Sequence, residues 1–237
     1  MLFPIKDDQP TVRTPHVTIA LIVINAVVFL FSQTLGTKGF ASLLMNFGYV
    51  PVLFVDGGVY YQAPAWVYAT PLTSMFLHGG WMHLIGNMVF LWIYGNNVED
   101  YFGPIRFILF YLVAGIAAVA AYTLFNMGSQ IPLVGASGAI SGVMGAYIVL
   151  HPRARITCLL FFFFVTFVTL PASVVLGIWF FYQILMWLVG SSTGGGVAWL
   201  AHIGGFVFGW LVLKVYLRFR GKGVTPGGGQ RVYTVRW

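Results

Sequence analysis

Six stretches of the chain are apolar over lengths that suit a bilayer: 16–34, 81–98, 104–125, 136–151, 171–190 and 197–217. A spanning helix takes about 20 mainly apolar residues, so this pattern predicts a bundle of transmembrane helices. Between the first two lies 35–80, which is apolar yet broken by Gly and Pro and carries Lys38 and Asp56. It is too interrupted for a span and too apolar for a free linker. A structured loop in the membrane interface is the expectation. A further run, ITCLLFFFFVTFVTL at 156–170, is short for a span, rich in β-branched and aromatic residues, and followed by Pro171.

Charge decides how that run is read. With six spans, Lys6, Arg13, Arg106, Arg153, Arg155 and the C-terminal basic residues fall on one side, and only Lys38 on the other. A seventh span would carry Lys214, Arg218, Arg220, Lys222, Arg231 and Arg236 across, against the tendency of Lys and Arg to stay in the cytoplasm. The 156–170 run is therefore expected to be a membrane-hugging or re-entrant cytoplasmic segment, with both termini cytoplasmic. The predicted fold is an all-α, polytopic bundle of six transmembrane helices with a long interfacial first loop. Residues 1–15 form a cytoplasmic N-terminal segment, 16–218 the membrane domain, and 219–237 a flexible, Gly-rich, basic tail.

Composition agrees with that class. The chain is 59% hydrophobic and 7% charged, against about 25% charged for an ordinary soluble protein. The net charge of +7 would suit nucleic acid, but the basic residues sit between or after apolar runs, where orientation explains them. No nucleic-acid partner is expected. The single Cys158 excludes an internal disulfide framework and a cysteine metal site. The opening MLFPIKDDQPTVRTP has neither signal-peptide nor transit-peptide character, so the first apolar run is read as an uncleaved anchor.

Polar side chains inside spans are costly and mark functional candidates. Here they are His83 and Asn87 in HLIGN, Ser137 in GASGA and His202 in AHIGG, with His78 just ahead of the second span. In an alternating six-span topology all four fall in the outer leaflet. His83 and Asn87 lie one turn apart on one helix face. Ser137 opens the fourth span, and His202 sits one to two turns into the sixth. Serine becomes a competent nucleophile when a neutral imidazole takes its proton. The tetrahedral intermediate then needs donors, which His83, Asn87 and the free N–H groups at a helix start can supply. The acidic residues are Asp7, Asp8, Asp56, Glu99 and Asp100, none of them inside a span beside the histidine. The expectation is a Ser–His dyad rather than a triad.

The glycines have a mechanical reading. Gly135 and Gly138 flank Ser137, permitting a tight turn. Gly138, Gly142 and Gly145 on the fourth span, and Gly205 and Gly209 on the sixth, give thin faces that let helices approach closely. Taken singly, a serine among glycines is ordinary packing and a buried histidine an ordinary hydrogen-bonder. Their joint occurrence in one leaflet argues for chemistry. A channel or transporter would continue its polar path through both leaflets, and here the polar cluster stops at one. The spacing of His78 and His83 does not put them on one helix face, so no metal is expected.

The set HGGWMHLIGNMVFLWIYGNNVED, GASGAISGVMGAY and AHIGGFVFG resembles the rhomboid intramembrane serine proteases over nearly the whole chain. The opening PIKDDQPT looks like a common prokaryotic form. The resemblance implies Ser137 as nucleophile and His202 as general base and acid. It implies an oxyanion site of His83, Asn87 and the Ser137 backbone N–H, with Gly135, Gly138, Ala201 and Gly205 supporting the motifs. It also implies transmembrane protein substrates cleaved within or beside the lipid bilayer of a prokaryotic inner membrane, without metal or cofactor. The fifth span and the loop after it would be the substrate gate. The alternative is a catalytically inactive rhomboid-like protein that binds membrane clients for quality control. Two departures stand out. Ala69 and Thr70 occupy the place of a Trp–Arg pair in the first loop, and Ser141 stands where some members carry an aromatic residue against the histidine.

Overall fold

A computed structural model describes residues 2–56, 64–161, 165–190 and 198–220. The chain opens with strand β1 (Leu2–Asp7) and continues into helix α1 (His16–Thr34). Val23, Val27 and Phe31 of α1 are each more than half exposed. A helix that turns such side chains outward is suited to lipid rather than water.

The first loop is ordered wherever it is described. It forms α2 (Gly36–Phe47), α3 (Pro51–Val55), a 3₁₀ turn at Ala65–Ala69, α4 (Thr70–Thr73) and a second 3₁₀ turn at Ser74–Phe76. Helix α2 buries no residue, so it lies against the outside of the bundle. Tyr49 and Leu133 exchange backbone hydrogen bonds of 2.9 and 2.7 Å, which ties this loop to the segment leading into Ser137.

Helix α5 (Trp81–Phe90) passes through one π turn (Leu91–Gly95) into α6 (Asn96–Phe102) without a break. Gly103, at φ +77°, then turns the chain into α7 (Pro104–Phe125). Next come α8 (Ser137–Leu150), the hairpin β2 (Arg155–Phe161) and β3 (Val165–Pro171), α9 (Ala172–Gly190) and α10 (Trp199–Arg220). Among the described residues, α1, α7, α9 and α10 are the helices long and apolar enough by themselves to cross a membrane. Helix α8 is apolar but only 14 residues long.

Helix α8 is the hub. Every residue in it except Ser137 and Ile148 is buried, as expected of a helix that is apolar all round. Its neighbours come close because glycines remove the side chains between them. A methyl on Gly142 would stand 2.6 Å from the Ala114 Cβ of α7. On the other side, a methyl on Gly205 or Gly209 of α10 would strike the carbonyl oxygens of Gly138 and Gly142. This is the small-residue approach predicted for the fourth and sixth spans.

The 156–170 run departs from the all-α expectation. Its described residues form β2 and β3, and β1 joins them in an antiparallel sheet of order β1-β2-β3. The β-branched and aromatic content that made this run a poor span suits a pleated ladder. The N-terminal segment is thus an ordered strand, with Leu2 against Leu160 and Asp7 against Ile156. Residues 162–164 and nearly all of the 219–237 tail lie outside the described residues, so the expectation of a flexible tail does too.

Carboxylates lock the end of the bundle next to this sheet. Asp7 accepts hydrogen bonds from the Tyr147 hydroxyl at 2.6 Å and the Asn97 amide at 2.9 Å. Asp8 accepts from the Arg155 N–H at 2.9 Å, and Asp100 from the N–H groups of Val12 and Arg13. Buried Glu99 takes the N–H groups of Val17 and Thr18 at 2.9 and 2.7 Å and the Thr18 hydroxyl at 2.8 Å. It therefore caps the start of α1, where helix N–H groups lack intrahelical acceptors and negative charge is favoured.

Candidate active site

The site forms where three helix beginnings meet the first loop. Ser137 is the first residue of α8, and Gly135 delivers the chain to it. Gly135 has φ +121°, and its N–H donates to the Ser74 carbonyl at 2.9 Å. Only a residue without Cβ adopts that conformation readily. A Cβ there would also lie 2.6 Å from His83 Nε2 and 3.6 Å from Asn87 Nδ2. Both α5 side chains therefore converge on the backbone two residues ahead of Ser137.

His202 lies on the first turn of α10, with Nε2 2.8 Å from Ser137 Oγ. Its other nitrogen, Nδ1, is 2.8 Å from Oε1 of Gln183 on α9. The Gln183 amide NH₂ donates to the Trp179 carbonyl one turn earlier, at 3.3 Å. Trp179 and Trp199 flank the imidazole, with ring centroids 5.9 and 6.3 Å away. Ser137 and His202 are half-buried, whereas Gln183 is 3% exposed.

On α5, the Gly79 N–H donates to His83 Nδ1 at 3.4 Å. That assigns the ring proton to Nε2, the nitrogen beside Gly135. Asn87 Nδ2 is 3.0 Å from Nε2 of buried His78, whose ring lies 5.1 Å from that of His83. An amide NH₂ can only donate, so His78 accepts and fixes the way Asn87 faces. Gly138 packs on Ala118 of α7, and buried Ala201 of α10 also borders the space a side chain there would take. Gly205 meets the Gly138 carbonyl, so the expected supporting residues all bear on the Ser137 turn.

The two departures have local accounts. The Ser141 hydroxyl donates to the Ser137 carbonyl at 2.6 Å, and the tryptophans supply the ring contacts to His202. Thr70, buried, bonds the Val67 carbonyl, and Thr73 bonds that of Phe47, so the first loop is anchored by hydroxyls.

Gln183 is the residue that sequence reasoning missed. A search for a carboxylate beside the histidine finds none, and the dyad looks complete. Yet Gln183 is the one side-chain amide in the aromatic and aliphatic run WFFYQILMW. A polar group in a span is the same signal that picked out His83, Asn87, Ser137 and His202.

An inward-facing polar cluster within outward-apolar helices defines a multi-pass helical membrane protein. The family model described as the Rhomboid domain matches residues 65–219. The chain belongs to the rhomboid family. It is 34% identical over 141 residues to "Rhomboid protease GluP" of Bacillus subtilis, covering 59% of this chain and 26% of that protein. It is 44% identical over 75 residues to "RHOMBOID-like protein 6, mitochondrial" of Arabidopsis thaliana, covering 32% of this chain and 24% of that one. To "RHOMBOID-like protein 12, mitochondrial" of the same plant it is 28% identical over 210 residues, 80% of this chain and 55% of the relative. The matches thus span from about a quarter to just over half of these relatives.

Proposed function

We propose that the chain is an intramembrane serine endopeptidase that cleaves transmembrane protein substrates. Ser137 is the nucleophile and His202 its general base. The observation that carries this reading is the 2.8 Å separation of Ser137 Oγ from His202 Nε2, at a helix start faced by His83 and Asn87. Ser137 Oγ attacks the scissile carbonyl carbon while its proton passes to His202 Nε2. The oxyanion forms opposite the His83 Nε2–H, an Asn87 amide N–H and the Ser137 backbone N–H. Collapse breaks the C–N bond, and His202 returns the proton to the leaving amine. Water, deprotonated by His202, then hydrolyses the acyl-enzyme and restores Ser137.

In this reading the chain crosses the membrane six times. The second crossing is the continuous helix from Trp81 to Phe102, about 33 Å long at 1.5 Å per residue. The fourth is α8, about 21 Å long, against a hydrocarbon core of about 30 Å. That shortness sinks Ser137 below the outer boundary, where water must be admitted through a polar cavity. Both termini and the sheet lie in the cytoplasm, as the placement of Lys and Arg favours. The membrane is a prokaryotic inner membrane, as the PIKDDQPT opening and the Bacillus relative support.

The test is covalent labelling of the purified protein by a fluorophosphonate, together with cleavage of a reporter transmembrane substrate. Wild type labels and cleaves. Ser137→Ala and His202→Ala stay folded and lose at least about 1,000-fold in turnover. Cleavage by Ser137→Ala at the wild-type rate would refute the mechanism. A folded wild type that binds clients but neither labels nor cleaves would be the inactive, client-binding relative instead.

A further inference from the structure

The geometry points to a third member of the catalytic apparatus: Gln183 of α9 is a positioning residue that fixes the tautomer of His202 and steadies its protonated form. This inference rests on the protease reading above. The chain of hydrogen bonds has one consistent set of directions. The Gln183 NH₂ can only donate, and it faces the Trp179 carbonyl, which can only accept. Gln183 Oε1 is thereby turned toward His202 Nδ1, 2.8 Å away. An amide oxygen accepts, so Nδ1 carries the proton and Nε2 presents its lone pair to Ser137 Oγ. That is the tautomer a general base needs. The opposite one would aim an N–H at the serine and idle the pair.

An amide suits this position. When His202 takes the serine proton, Nδ1–H becomes a stronger donor and its bond to Oε1 tightens. A carboxylate would hold the imidazolium more strongly, but a charge inside a span is costly to keep there. A glutamine supplies a fixed dipole at lower cost. Gln183 is almost fully enclosed, so water does not compete for Oε1. Several elements face the imidazole: Ser137 from α8, Gln183 and Trp179 from α9, and Trp199 from its own helix. Among the described residues, His83 on α5 is the titratable side chain that interacts with it electrostatically. Gln183 is therefore the group placed to choose the tautomer.

The experiment uses the full chain in detergent or liposomes and measures kcat, KM and the pH profile of reporter cleavage, with fluorophosphonate labelling at Ser137. Gln183→Leu keeps the bulk and removes the acceptor. Its kcat should fall about 10- to 100-fold, the range for a hydrogen bond to a charged group, with KM within about twofold. Gln183→Glu keeps an acceptor at the same reach. It should recover most of the kcat and move the acid limb of the profile to higher pH, because a carboxylate favours the imidazolium. Gln183→Leu with wild-type kcat would overturn the role. So would equal losses in both variants with an unmoved acid limb, which mark a packing role only. If Gln183→Leu does not fold, Gln183→Glu decides alone, and an acid limb identical to wild type overturns the proposal. A wild type that labels at Ser137 separates these failures from a failure of the protease reading, which would take the Gln183 role with it.

Discussion

The two ends of the bundle solve the same problem, holding polar atoms among apolar helices, with opposite chemistry. At the sheet end, Asp7, Asp8, Glu99 and Asp100 accept hydrogen bonds from backbone N–H groups, a tyrosine hydroxyl and an amide. At the other end the work is done by two imidazole–partner pairs, an asparagine, a glutamine and a serine hydroxyl. Asn87 and Glu99 ride on one continuous helix, about 18 Å apart at 1.5 Å per residue. The buried carboxylates sit at the end where solvated backbone and most of the basic residues lie close by. Lys38 and Asp56 of the first loop aside, the side chains hydrogen-bonded around Ser137 and His202 are all ones that can be neutral. In the proposed mechanism a proton therefore moves between them without a fixed charge hydrogen-bonded to either. On that mechanism, one end stays put and the other exchanges protons.

That contrast can be broken from either side. The largest effect is expected at Gly135. Gly135→Ala forces a side chain into φ +121° and against His83 Nε2. It should cut turnover by about 100-fold, as displacing a catalytic group by about 1 Å does. Thermal melting in detergent should change much less. A melting loss with unchanged turnover in the surviving fold would erase the distinction between the ends. Glu99→Gln probes the other side. It removes the charge from an acceptor of three bonds and turns an NH₂ toward N–H donors, costing about 2 kcal/mol of stability. Turnover of the folded fraction should stay within about twofold.

The smallest effect concerns pH at β1. Burial pushes the Asp7 carboxyl above its ordinary value of 3.8, helped by the nearby Asp8 and opposed by the Tyr147 hydroxyl. A raised folded pKa means that the docked strand binds the proton more tightly than the free one. Its stabilising share is complete below about 3.8 and is lost as pH rises through the raised value. Asp8 behaves oppositely. Slight desolvation raises it, but the Arg155 N–H and the Gln9 amide outweigh this and hold it below 3.8. Its loss therefore falls below the Asp7 window. Hydrogen exchange of the β1 and β2 amides should show modestly greater protection near pH 5 than near pH 8, corrected for intrinsic exchange. In Asp7→Asn that slope should flatten, and an unchanged slope would remove Asp7 as its source.

Much of the helical framework was legible because lipid imposes a coarse rule. Long apolar runs must satisfy their own backbone, and 16–34, 104–125 and 171–190 lie almost on α1, α7 and α9. The pairing of thin faces was legible too, since Gly142 and Gly209 have the small-residue spacing that lets two backbones touch. The run 156–170 was harder. Its partner strand is Leu2–Asp7, some 150 residues away, and nothing local announces such a pairing. The same distance hides the Asp7–Tyr147 bond.

For the site, the sequence by itself determined which chemical groups were present: a serine at a glycine turn, a histidine on another thin helix, and a His–Asn face one turn long. Those follow from residue type and helical period. Only the tertiary structure decided that Gln183 turns its oxygen to His202, that His78 holds Asn87, and that Ser141 closes back on Ser137. Each of these depends on how two or three helices are rotated about their axes, or on a rotamer choice within one turn. Burial in lipid fixes which residues a helix must carry. Packing between helices fixes which atoms of those residues meet.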